Sequence, residues 1–69
     1  MKNRINDMTR YYDGFIIMNI QSKEQKQYPY RKGVNSIDAE AQAIKEQMQL
    51  QGCDRGALII NGLIKKGDF

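Results

Sequence analysis

Apolar residues recur along the chain at two periods, and the change of period divides it. Between Asn35 and Gly52, Ile37, Ala41, Ile44 and Met48 stand at steps of four, three and four. That spacing places them in a narrow arc of one helix face. Asn35 or Ser36 can cap the first turn by accepting a free backbone N–H. Asp38 and Glu40 put negative charge at the positive end of the helix dipole, and Gly52 stands where a left-handed residue ends a helix. The pattern predicts one amphipathic helix from Asn35 to Gly52 with Ile37, Ala41, Ile44 and Met48 on the core. A weaker stripe lies nearly opposite, Ala39, Ala43 and Leu50, interrupted by Glu46. Alanines there raise helix propensity, or let a partner approach closely.

Elsewhere the period is two. Gly14 to Gln21 reads as a strand in which Ile16, Met18 and Ile20 share one face, expected to point at the helix. Phe15, Ile17, Asn19 and Gln21 take the other face, whose apolar end calls for cover from the N-terminal arm or a second subunit. Ser22 to Gln25 is a polar turn, and Lys26 to Gly33 returns as a second strand. Pro29 lacks a ladder donor, which marks an edge strand. Tyr28 and Tyr30 share a face there. After the loop from Cys53 to Gly56, the run from Ala57 to Lys66 contains Asn61-Gly62 between two apolar segments. It reads either as one long strand with Gly62 at a bulge or as a two-residue hairpin.

The expected architecture is thus α+β: a three- or four-stranded antiparallel sheet (β-hairpin, helix, then β-strand or hairpin) with one amphipathic helix packed on one face. Residues 1–13 read as a partly ordered N-terminal arm and 14–69 as a single small domain. Sixty-nine residues lie near the lower limit for unassisted folding, so a homodimer is a natural expectation.

Composition narrows the function. Cys53 is the single cysteine, which excludes an intramolecular disulfide and suits a reducing, cytoplasmic setting. No long apolar run is present, so no membrane partner is expected. With no histidine, the commonest general base is missing, and Ser22 and Ser36 lack a nucleophile-elbow context. Cys53 follows a helix C-terminus, which does not favour a thiolate. The acidic residues form no calcium-loop pattern, and the glycines form no phosphate-binding loop. The chain reads as a non-enzyme with no cofactor and no metal.

Eleven basic against eight acidic residues give a net charge of +3. This permits nucleic-acid binding without requiring it. The stretch Lys23 to Lys32 concentrates the signal: Lys23, Lys26, Arg31 and Lys32 interleave with Tyr28 and Tyr30. Cations for phosphates beside aromatics for bases is the make-up of a nucleic-acid-contacting hairpin, and Tyr and Arg also dominate protein–protein contacts. The plainer reading is an edge strand whose lysines deter aggregation and whose tyrosines pack half-buried on the helix. These six residues are the candidate partner-binding set, and Lys65 and Lys66 can extend it.

The segment from Met18 to Glu40 resembles the small phage-encoded inhibitors of uracil-DNA glycosylase. The matching residues are Met18 and Gln21 on the first strand, Lys26-Gln27-Tyr28 and Tyr30 on the second, Lys32-Gly33, and Asp38 and Glu40 at the helix start. The strand–strand–helix–strand order is similar too, and some small anti-CRISPR proteins resemble the same pattern. The chain departs from the glycosylase inhibitors in charge, being basic where they are acidic, and in having Ala39 where they carry an aromatic. The resemblance therefore implies a class and no particular target: a small phage or mobile-element protein that binds a host protein or nucleoprotein complex and inhibits or redirects it. Direct nucleic-acid binding, in regulation or recombination accessory work, is the competing expectation.

Overall fold

The computed structural model describes residues 8–68. A 3-10 turn at Met8–Arg10 leads into strand β1 (Tyr12–Asn19). Strand β2 (Gln25–Pro29) follows, then helix α1 (Ser36–Gln51), a second 3-10 turn at Arg55–Ala57, and strand β3 (Leu58–Lys65). The sheet has three strands in the order β2-β1-β3, and β1 is antiparallel to both neighbours. β2 and β3 are therefore parallel to each other, and α1 carries the chain over β1 from one edge to the other, a split β-α-β connection. This is the α+β architecture that the periodicity predicts, with three strands rather than four.

Several boundaries move. β1 starts at Tyr12, two residues before the expected Gly14 and inside the segment read as an arm; residues 1–7 of that arm lie outside the described residues. β2 occupies only Gln25–Pro29, so Tyr30 to Gly33 belongs to the connection to α1. Asn61-Gly62 makes no hairpin: β3 runs through it, with a register shift opposite Phe15 to Ile17. Gly62 has φ 145° and lies against the Ile16 side chain. A β-bulge is the device that admits one extra residue here without ending the ladder.

The expected core face of β1 is exchanged for its neighbour, and that of α1 is exchanged in part: Ile44 stays in the core and Met48 packs against it, while Ile37 and Ala41 leave it. On β1, Phe15 and Ile17 are 1% exposed and Asn19 is buried, while Ile16 and Met18 are only partly buried and Ile20 is exposed. Alternation could not separate two apolar faces; pairing does. Phe15 stands opposite Tyr28, and the Tyr28 and Tyr30 rings lie 5.7 and 5.1 Å from the Phe15 ring. The three aromatics form one cluster, and that cluster is the face that the helix covers.

On α1 the buried residues are Ser36, Ala39, Ala43, Ile44 and Gln47. Ile37 is 63% exposed, and Ala41 is exposed too. At 3.6 residues per turn, the helix is rolled by roughly a quarter turn from its expected orientation. The reason is volume. The sheet already presents Phe15, Ile17, Leu58 and two tyrosine rings, and only small side chains let the helix backbone come close enough to fill the space between them. The alanine stripe is the packing face, except that Leu50, at its end, is 70% exposed. Asn35 is the N-cap, accepting from the Asp38 N–H at 2.8 Å. Gly52 is the C-cap at φ 66°, its N–H bonded to the Met48 carbonyl. Ser36 instead receives the Met8 N–H, at 3.1 Å, which ties the first 3-10 turn to the helix start.

One end of the sheet–helix interface is polar. Asn19 donates to the Gln51 side-chain oxygen Oε1 at 2.8 Å, Gln51 to Gln47 at 2.6 Å, and Gln47 to the Tyr28 hydroxyl at 2.6 Å. The Tyr28 hydroxyl donates onward to Glu46 at 3.1 Å. Asn19 also accepts the backbone N–H groups of Gln21 and Ser22 through Oδ1, so one buried side chain holds both the β1–β2 turn and the helix. Replacing Asn19 with alanine should cost about 1–3 kcal/mol, because the buried side chain loses three hydrogen bonds at roughly 0.5–1.5 kcal/mol each. Urea titration of the variant measures this, and a shift within error of zero rules the network out as a structural element.

Candidate binding surface

The structure places the six sequence-predicted residues in two groups at opposite ends of β2. Lys23 lies in the β1–β2 turn at φ 69°, a left-handed position, with its N–H on the Asn19 carbonyl. Lys26 is exposed on β2, opposite Ile17. Tyr28 and Tyr30 separate these lysines from Arg31 and Lys32.

The tyrosines are committed to packing. Their rings lie on Phe15, and their hydroxyls reach the helix: Tyr28 contacts Glu46 and Gln47, and Tyr30 donates to Glu40 at 2.8 Å. Arg31 adds a third tie, donating to the Gln42 side chain at 2.7 Å. The end of the edge strand and the connection that follows it are thus stapled to α1 by side chains of the stretch that read as a nucleic-acid hairpin. Helical spacing supplies the partners, Glu40, Gln42 and Glu46 as acceptors and Gln47 as a donor, one to two turns apart on the side that leans over β2.

Burial raises the Tyr28 pKa above its ordinary 10.0; the hydrogen bond from Gln47 opposes this, and the hydrogen bond and charge of Glu46 add to it. The folded state therefore holds this proton more tightly than the unfolded chain does. Its contribution to stability is fully present below about pH 10 and is lost as pH rises through the higher folded pKa. Denaturation at pH 8 and pH 10.5 should show a larger loss for the native chain than for Tyr28→Phe. Equal losses would remove Tyr28 as the titrating group.

The second group opens onto a cleft of about 550 Å³. Tyr12, Tyr30 and Val34 line it with the cations Arg31, Lys32 and Lys66. Lys66 comes from the segment after β3, so the fold adds it to the two residues of the β2–α1 connection. Among the described residues of the lining Asp13 is the single anion, and their three cations against one anion leave +2. Asp13 is engaged by the segment after β3: Oδ2 accepts the Gly67 N–H at 2.8 Å, and Oδ1 lies 3.5 Å from the Lys66 ammonium. Asn35, the N-cap of α1, also lines the cleft, so the positive end of the helix dipole borders it. Exposed cations around an open, polar-walled hollow can take acidic side chains or phosphates.

Sequence reasoning found Arg31, Lys32 and the extension through Lys66. It missed Tyr12 and Asp13, which it assigned to the arm. The signal available for Asp13 was its place beside a strand start with Gly14, where a bulge re-aims a side chain: the register shifts between Tyr12 and Gly14.

Among the described residues no helix is long and apolar enough to cross a membrane. The fold and the cleft together define a small α+β domain with a basic rim. No family model, no curated protein and no solved structure matches the chain.

Proposed function

We propose that this chain is a small non-catalytic modulator that binds a host protein or nucleoprotein complex and inhibits or redirects it, in the manner of the phage inhibitors it resembles. The observation that best supports this is the convergence of Arg31, Lys32 and Lys66, from separate parts of the chain, on one open cleft. The partner surface is then acidic. A single cysteine suits action in a reducing compartment, the cytoplasm. The second reading, direct nucleic-acid binding, draws on the same cations, but the Tyr28 and Tyr30 rings rest on Phe15 and not in a position to stack on bases. It therefore rests on phosphate contacts alone.

Affinity capture from host extract, with and without nuclease, separates the two. A protein retained after nuclease and lost when Lys32 and Lys66 are both changed to glutamate supports the modulator. A partner lost with nuclease supports the second reading. In that case the logarithm of affinity falls with the logarithm of salt by about 0.9 per phosphate engaged. Capture unaffected by the double charge reversal overturns the assignment to this cleft.

A further inference from the structure

The Asn61-Gly62 pair, whose sequence suits a turn, is carried inside β3 with nothing opposite it. The ladder to β1 passes from Ile60 opposite Ile17 to Leu63 opposite Phe15, and neither Asn61 nor Gly62 has a Cα partner. β3 is an edge strand, so no strand of the sheet lies on its other side. Asn61 is exposed. Its side-chain amide lies 3.6 Å from the Met18 sulfur, a weak acceptor. Gly62 has no Cβ to shield its backbone nitrogen from the Asn61 side chain.

The other two described asparagines are held in place. Asn19 is 6% exposed and bonded at both ends of its side chain, and the residue after it, Ile20, is β-branched and shields the nitrogen. Asn35 is the cap of α1. Its Oδ1 accepts the Asp38 N–H at 2.8 Å, and its Nδ2 donates to the Asp38 carboxylate at 3.3 Å. Ser36, which follows it, is 2% exposed. Asn3 and Asn6 lie outside the described residues.

We propose that Asn61 is a site of spontaneous covalent modification, deamidation through a cyclic imide, and that the fold selects it among the described asparagines. The Gly62 nitrogen gives its proton to a solvent base and attacks Cγ of Asn61. The Cγ–Nδ2 bond breaks, ammonia leaves, and a five-membered succinimide closes. Water then opens the ring. Attack at Cγ gives aspartate; attack at the Asn61 main-chain carbonyl gives isoaspartate, whose backbone is longer by one methylene. Closing the ring requires Asn61 to rotate out of the extended conformation, which a paired strand resists and an unpaired bulge allows. The bulge already takes up one extra residue, so the longer backbone falls where the register has slack. Either product exchanges a neutral amide for a carboxylate and takes the net charge from +3 to +2. That charge lands on an edge strand whose one other charged residue is the lysine at its end, and charge on an edge deters pairing with another chain. The site is independent of the basic cleft.

The test follows the full chain, folded and in denaturing guanidinium chloride, held in the same warm, mildly alkaline buffer. Cation exchange collects the species that has lost one positive charge, and peptide mapping by mass spectrometry locates the change. Isoaspartyl methyltransferase with a labelled methyl donor detects isoaspartate. In the folded chain Asn61 should convert before Asn19 and Asn35. The ratio of conversion at Asn61 to that at Asn35 should be at least about tenfold higher than in denaturant, because the cap must be released before Asn35 can react. In Asn61→Gln, where a six-membered ring closes far less readily, the early acidic species should be missing. An Asn61 that does not convert in the folded chain overturns the inference. So does an equal ratio in the two states, since the reaction then runs through the unfolded chain, or an early acidic species that persists in Asn61→Gln.

Discussion

Phe15→Ala is expected to abolish cooperative unfolding or bring the domain to the edge of it. Phe15 is 1% exposed and carries the rings of Tyr28 and Tyr30. Removing a buried phenylalanine costs about 3–5 kcal/mol. A chain of this length has roughly 3–10 kcal/mol of stability in all, at 0.05–0.15 kcal/mol per residue. Both tyrosine staples would also lose the surface that orients them, so the damage extends along β2. The matched control is Ile16→Ala on the opposite face, where burial is partial and the cost should be about 1 kcal/mol. Thermal melts followed by circular dichroism rank the two. Equal or reversed losses would mean that β1 presents its other face to the helix.

The second large effect lies on the helix. Ala43→Leu adds bulk where α1 meets the sheet and should destabilise by about 1–3 kcal/mol through overpacking. Ile37→Ala, although it removes the larger and more apolar side chain, should stay within about 0.5 kcal/mol in the monomer, because the residue is mostly exposed. Guanidinium titrations at low protein concentration measure both. The opposite ranking would return Ile37 to the core.

That pair also shows how far the sequence carries. Element type and order were legible because caps, period and turn residues are local: Asn35, Gly52 and the alternation around Phe15 suffice for α1 and β1. Orientation was not legible, because it depends on complementary volume. Ranking helix positions by hydrophobicity selects Ile37, Ile44 and Met48; the fold buries Ile44 and half-buries Met48, yet over the three aromatic rings it takes Ala39 and Ala43 and leaves Ile37 out. The polar chain through Asn19, Gln51 and Gln47 was hidden for a similar reason. Glutamine on a helix reads as solvent-facing until a strand brings it a partner. For the candidate surface, the cations could be read from the sequence but not their grouping. Tyr28 and Tyr30 were visible as a pair, and only Phe15 beneath them shows that their rings are already occupied.

The strand order carries a kinetic consequence. β1 is the middle strand, and it comes before the other two in the chain. Its hairpin partner β2 follows directly, whereas β3 pairs Tyr12 with Lys65 and Asn19 with Leu58. Loop closure of that span is slow relative to hairpin and helix formation. The β1–β2–α1 unit should therefore assemble first around the aromatic cluster, with β3 arriving last to seal Leu58 into it. Core substitutions in β3 should then quicken unfolding while leaving the refolding rate nearly unchanged. Those at Phe15 should slow refolding.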